Sequence, residues 1–137
     1  MIYSVHEGLL DDFHAKEFSR TIKSYIEWIE EESLTKLETT FDKSRKTEDK
    51  EYTVTIPDKV IKKFKDGKDI PDEQIVMNDL KGSGFRYSDT SKDGSIIMVM
   101  DAKYSNNIFI AIITKCDKGY NVHFKNHESI IESTILI

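Results

Sequence analysis

Apolar residues recur at three- and four-residue intervals along the first third of the chain. The repeat runs from Leu10 to Phe41, and charged residues fill most of the positions between. Such a repeat places the apolar side chains on one face of a helix. Just before it, Ser4 and Glu7 have the spacing of a capping box, in which both residues satisfy free amides of the first turn. The sequence therefore predicts one long amphipathic helix, either continuous or broken near Ser33.

A polar segment separates this helix from the rest of the chain. Residues 42–51 carry only charged and hydroxyl-bearing side chains, which predicts an exposed connection. Residues 52–56 then alternate apolar and polar side chains, a pattern typical of a half-buried strand, and Pro57 ends the strand. We expect that strand to be short and peripheral. In this interpretation residues 1–41 form the helical part of a single domain, and residues 52–137 form a mainly β part.

Two short helices are predicted inside the β part. Residues 57–67 and 71–82 both begin with a proline and an acidic residue and end in glycine. Proline favours the first helical position, and glycine favours the residue that follows a helix. The first segment contains several lysines and the second has a lysine near its end, and the helix dipole favours cations near the end of a helix. The second segment also fits a strand, because residues 75–77 are consecutively apolar.

Strands separated by turn-forming clusters follow from residue 84 onward. The clusters are too short for crossover helices, so neighbouring strands should pair antiparallel. The predicted fold is therefore α+β, with the helices packed on a four- to five-stranded antiparallel meander. Residues 127–137 fit either helix or strand. The strands predicted in the meander are 84–88, 95–101, 108–114 and 120–125.

The two inner strands of this meander are apolar on both faces. A strand of that kind requires cover on both sides. The helices would cover one face. For the other face the candidates are the lysine-rich segment 59–68, the tail 127–137 or a second subunit, so that homodimerisation is one of the expectations.

Composition and charge narrow the functional classes. The 137 residues suit one domain, and the formal net charge of -5 opposes general binding to nucleic-acid phosphates. Cys116 is the single cysteine, which excludes an internal disulfide. No apolar stretch is long enough to span a membrane, and the first residues lack the pattern of a signal peptide. We therefore expect a cytoplasmic protein without a membrane partner.

Motifs that would identify a reaction are absent from the sequence. There is no cysteine pair, no glycine-rich phosphate loop and no Gly-x-Ser-x-Gly nucleophile elbow. We accordingly predict no metal and no cofactor, and we favour a non-catalytic role.

The first functional hypothesis is binding to another protein that has a basic surface. Acidic residues concentrate at the end of the long helix, where Glu30, Glu31 and Glu32 are consecutive. Such a surface can dock to a basic protein. Trp28 lies beside them as a candidate interface anchor, and Arg86 is one of only three arginines. This pattern is typical of inhibitors, immunity proteins and phage counter-defence proteins.

The alternative hypothesis is a small metal-independent ribonuclease with RNA as its substrate. Its candidate groups are His14, Arg86, Lys115 and His123, which are of the types that transfer protons and stabilise a phosphorane. Helices followed by a four-stranded meander resemble the ribonuclease toxins of the RelE and RegB type. The start of residues 14–20 is similar to a His-Ala-x-Glu-Arg helix of related toxins, although a phenylalanine replaces one arginine. Convergence of the histidines with Arg86 would favour this hypothesis.

Overall fold

The computed structural model describes the backbone of residues 2–42, 51–103 and 106–128, and the side chains of residues 16–40, 51–103 and 106–127. Within these ranges the fold is α+β, as the sequence predicts. The elements in chain order are α1 (Ile2–Ser33), β1 (Glu38–Asp42), β2 (Glu51–Pro57), α2 (Asp58–Lys65), α3 (Asp72–Gly82), β3 (Arg86–Thr90), β4 (Ile96–Asp101), β5 (Asn107–Cys116) and β6 (Gly119–Glu128).

The described strands form one antiparallel sheet in the order β1-β2-β6-β5-β4-β3. Strands β3 to β6 are consecutive neighbours and make up the predicted meander. Strand β2 pairs with β6 on one side and with β1 on the other, so its predicted peripheral position is wrong. The sheet also has six strands rather than four or five, because β1 comes from a region that we predicted to be helical.

Helix α1 ends at Ser33, and the next element is strand β1 rather than a second helix. Leu34 adopts a left-handed conformation with φ of 55°, and the amide of Thr35 donates to the carbonyl of Glu30 at 3.3 Å. This six-to-one bond is the Schellman arrangement that closes many helices. Leu37 is buried at the approach to β1. The prediction that the helical region continues to residue 41 is therefore wrong, because the threonine-rich segment 38–42 pairs with β2.

Helix α1 lies across one face of the sheet. Phe18, Ile22, Tyr25 and Ile29 recur every three or four residues, and each is at most 1% exposed. The ring of Phe18 is 5.1 Å from that of Phe109 on β5, and the ring of Tyr25 meets that of Phe124 edge-on at 5.5 Å. Burying a side chain of this size contributes about 1.5–3 kcal/mol. These four residues thus fix the helix on the central strands.

Helices α2 and α3 lie on the same face of the sheet as α1. Val60 and Ile61 of α2, and Ile75, Val76 and Leu80 of α3, belong to the same hydrophobic core as the inward-facing sheet residues. The alternative of a strand at residues 75–77 is therefore excluded. The lysine-rich segment packs on the helical side as well, so it does not cover the opposite face.

The opposite face of the sheet, called the open face below, carries apolar side chains that none of the described helices covers. On β4 and β5 these side chains are only partly buried. The alternate residues face the helices, and Met98, Phe109, Ala111 and Ile113 among them are almost fully buried. A second subunit on this face remains a prediction. The tail from residue 129 and the connection 43–50 lie outside the described residues. The partly buried apolar residues of the open face on β4 and β5 are Ile97, Val99, Ile108, Ile110 and Ile112.

Candidate functional site

A cleft of about 1040 Å³, called the α1–α3 cleft below, lies between these two helices and the end of β4. Helix α1 contributes Tyr25 and Trp28, which are three residues apart and hence neighbours on the helix surface. Helix α3 contributes Asp79 from its last turn, and the segment that follows β4 contributes Lys103. Trp28 is 45% exposed. The cleft therefore combines a buried phenol, a carboxylate, a cation and an accessible indole.

Tyr25 is buried in the cleft wall, and its hydroxyl has no hydrogen-bond partner among the described residues. The ring is 1% exposed and packs against Phe124. Burial raises the pKa of the Tyr25 hydroxyl, and the charge of Asp79 raises it further. An unsatisfied buried hydroxyl costs about 1–3 kcal/mol. The fold thus leaves an unused hydrogen-bonding group at this point.

Asp79 is a carboxyl of the cleft whose acidity is strongly altered. Burial raises its pKa from 3.8 to about 7. Within the described residues its carboxylate forms no ion pair or hydrogen bond, and no cation is close enough to lower the pKa. An acidic residue in the last turn of a helix also opposes the helix dipole. Asp79 is therefore a carboxylate without a counter-ion, and a nearby cation would favour its charged form.

Both acidic and basic residues line the cleft in addition to Asp79. Lys103 donates its backbone amide to Oε2 of Glu17 at 2.7 Å, which ties the start of the β4–β5 connection to α1. The other carboxylate oxygen, Oε1, is buried without a partner. Arg20 is exposed and forms no ion pair within the described residues, while Asp101 pairs with Arg86 at 3.6 Å. Arg20 and Lys103 are thus the two cations among the lining residues of the cleft.

The structure does not bring together the described members of the predicted ribonuclease set. Arg86 on β3 and His123 on β6 both lie on the open face, but three strand spacings, about 14 Å, separate them. Lys115 is the direct partner of Tyr120 in the sheet, and the Tyr120 side chain is buried on the helical side. Directly paired residues project to the same face, so Lys115 projects to the face opposite His123. The side chain of His14 on α1 lies outside the described residues.

His123 is engaged through both of its ring nitrogens. Nδ1 is 2.7 Å from the hydroxyl of Thr53, and Nε2 is 2.9 Å from Oε1 of Glu51. His127 follows four residues later, a spacing that binds zinc when it occurs on a helix. On the extended strand β6, however, four residues span about 13 Å. Among the described residues no group of three metal-binding side chains exists.

The residues predicted to bind a partner are divided among three places. Glu30 and Glu31 border a hollow of about 370 Å³ at the end of α1, and Glu32 is exposed at the same end. Trp28 instead lines the α1–α3 cleft, where its ring is 5.7 Å from that of Phe64 on α2. Arg86 lies at the edge of the open face. The acidic cluster therefore stands apart from its two proposed companions.

Leu34 is the residue of this hollow that the sequence analysis missed as a functional candidate. It is 84% exposed, although it fits the apolar repeat of the helix. The hollow with its borders, called the helix-end surface below, is formed by Glu27, Glu30, Glu31, Leu34, Thr35 and Lys36. The Glu30 carboxylate also accepts a hydrogen bond of 2.9 Å from the backbone amide of Leu37, and this bond holds the turn after the helix in place.

Comparison with known proteins adds no relative, because no family model, no curated protein and no solved structure matches this chain. Among the described residues no helix has the length and apolar character needed to cross a membrane. The helix-end surface and the α1–α3 cleft are therefore the features from which a function can be argued.

Proposed function

We propose that this chain is a non-catalytic module of the inhibitor or immunity type, which binds a basic protein through the helix-end surface. The observation that carries the proposal is Leu34, a large apolar side chain that is 84% exposed on a left-handed backbone. We propose only this function, because Arg86, Lys115 and His123 lie on separate parts of the sheet.

Leu34 lowers the stability of the free protein. A left-handed conformation costs a residue with a Cβ about 1–2 kcal/mol, and glycine is the usual residue at this position after a helix. The exposed side chain recovers little of that cost through burial. A strained residue of this kind fits a contact that forms only when a partner is bound.

Ser33, the residue before Leu34, shows a second uncompensated group at the same place. Its hydroxyl is buried without a hydrogen-bond partner. Its carbonyl, in contrast, accepts from Nζ of Lys63 at 2.8 Å and from the hydroxyl of Thr35 at 3.2 Å. These contacts hold the turn rigidly, which presents Leu34 in one orientation.

Charge around the hollow supports a basic partner. Glu27, Glu31 and Glu32 are exposed beside Leu34, and Lys36 is the cation among the residues that form the surface. Complementary charge accelerates association and rejects acidic proteins, while an apolar anchor at the centre supplies most of the affinity. The exposed Leu34 provides the apolar anchor, and the glutamates beside it provide the complementary charge.

Affinity capture from a lysate of the source cells tests this proposal. The wild-type chain should enrich one basic protein, and less of it should be retained as the salt concentration rises. Leu34→Gly should abolish the enrichment, because it removes the anchor while allowing the same turn. Glu31→Lys should weaken it through repulsion of the basic partner.

Two exposed positions elsewhere provide matched controls. Tyr87→Ala removes another large exposed side chain, from β3, and Asp69→Lys reverses an exposed acid between α2 and α3. Both variants should capture the same protein as the wild type. Failure to enrich a basic protein, or its full retention by the Leu34→Gly variant, contradicts the proposal.

A further inference from the structure

The interior of the α1–α3 cleft presents hydrogen-bonding atoms that no described protein group satisfies. The hydroxyl of Tyr25 and Oε1 of Glu17 are both buried without partners, and both residues line the cleft. The Asp79 carboxylate also lacks a partner among the described residues. Buried polar atoms are normally paired in folded proteins. Two such atoms, together with the half-buried Asp79 carboxylate in the same cleft, indicate that a ligand completes them.

We propose that the α1–α3 cleft binds a small organic cation, with its ammonium group against the Asp79 carboxylate and beside the Tyr25 hydroxyl. An ammonium brings three hydrogen-bond donors and no acceptor. It would supply both the missing counter-ion and the missing donors. This site is independent of the helix-end surface.

The distribution of charge favours a cation over an anion. Glu17, Asp79 and Asp101 contribute three carboxylates to the lining, against two cations, Arg20 and Lys103. Burial is the cause of the raised pKa of the Asp79 carboxyl, and neither cation offsets it. An anion in the interior would face an uncompensated carboxylate, which is costly at low dielectric.

The size and wall of the cleft suit a ligand with an apolar body. Small-molecule sites commonly enclose about 300–1000 Å³ and combine apolar walls with a few polar groups. Met100 forms part of the wall, and the indole of Trp28 is accessible at the side of the cleft. A cation over an indole face gains further attraction. The cleft therefore fits an alkylammonium better than a bare metal ion.

Trp28 is the single tryptophan of the chain, so its fluorescence reports directly on this cleft. The full chain is titrated with n-butylamine, n-butanol and n-butanoate, three probes of matched length that are cationic, neutral and anionic at about pH 8. At that pH Asp79, with a pKa of about 7, is charged. Butylammonium should give a saturable change in emission, whereas the other two probes should give none below about tenfold higher concentration.

Two variants test the assigned contacts. Asp79→Asn should weaken butylammonium binding at least about tenfold, and Tyr25→Phe should weaken it less, because it removes a neutral partner. Asp69→Asn, which changes an exposed acid outside the cleft, should bind as the wild type does. Circular dichroism of each variant verifies that it is folded. The proposal is overturned if butylammonium gives no saturation, if butanoate binds as tightly, or if the folded Asp79→Asn variant retains wild-type affinity.

Discussion

Replacing Asp79 by asparagine should stabilise the protein at neutral and alkaline pH. Asparagine has nearly the same shape as aspartate but never becomes charged. In the native chain the carboxyl is partly buried without a cation, and burial raises its pKa from 3.8 to about 7. Above that pH the fold must hold an uncompensated charge, a cost that the variant avoids.

The sign and the size of the effect follow from proton linkage. The native state keeps the Asp79 proton up to about pH 7, whereas the unfolded chain releases it near pH 4. The contribution of this group to stability therefore falls as the pH rises from about 4 to about 7, and it is constant above that range. Each pKa unit corresponds to about 1.4 kcal/mol. Because solvent screens a partly exposed carboxyl, we expect about 2 kcal/mol rather than the full difference.

Urea denaturation followed by circular dichroism, repeated between about pH 4 and pH 8, measures this effect. The free energy of unfolding of Asp79→Asn should exceed that of the wild type by about 2 kcal/mol at pH 8, and the two should converge near pH 4. Asp69→Asn, at an exposed site, corrects for the general effect of removing one negative charge from a chain of net charge -5. A difference that does not vary with pH, or that grows as the pH falls, would refute this account of Asp79.

Four further substitutions have defined outcomes in the same denaturation assay. Tyr25→Phe removes a hydroxyl that has no partner, so the unfolding free energy should stay within about 0.5 kcal/mol of wild type or increase; a loss above 1 kcal/mol would reveal a hydrogen bond. Leu34→Gly should stabilise by about 0.5–1 kcal/mol, since it relieves the left-handed leucine but adds freedom to the unfolded chain. Gly119→Ala should cost at least about 2 kcal/mol, because a Cβ at φ of 156° would lie 2.2 Å from the carbonyl oxygen of Ile56. Gly82→Ala, where the added Cβ meets nothing within 4 Å, should leave stability unchanged or improve it.

The sequence predicted those parts of the fold that depend on local pattern. The repeat through Phe18, Ile22 and Ile29 identified the buried face of α1, and the turn clusters identified the meander of β3 to β6. Strand β1 was missed because Leu37 continues the helical spacing, although the chain leaves the helix at Ser33. The position of β2 inside the sheet, between β1 and β6, depends on its pairing with β6, a contact between distant segments that no local pattern encodes.

The two candidate surfaces were harder to predict for different physical reasons. Leu34 fits the apolar repeat of α1, and only its left-handed backbone exposes the side chain. Tyr25 likewise reads as an ordinary core residue, because its unsatisfied hydroxyl becomes evident only when its neighbours are known. Asp79 did leave a signal in the sequence. It is an acid in the last turn of α3, where the helix dipole favours bases.

In the part of the chain that the structure describes, the buried polar atoms that lack a partner share one helix. Among the described residues three buried side-chain atoms lack a hydrogen-bond partner, in Glu17, Tyr25 and Ser33, and all three residues belong to α1. The first two line the α1–α3 cleft, and Ser33 precedes the strained and exposed Leu34. If these unsatisfied atoms resulted only from imperfect packing, they would not be expected to lie at or next to the two concave surfaces. Because the core residues of α1 hold the helix rigidly on the sheet, both surfaces are preorganised, and the cost of each is met by folding rather than by binding.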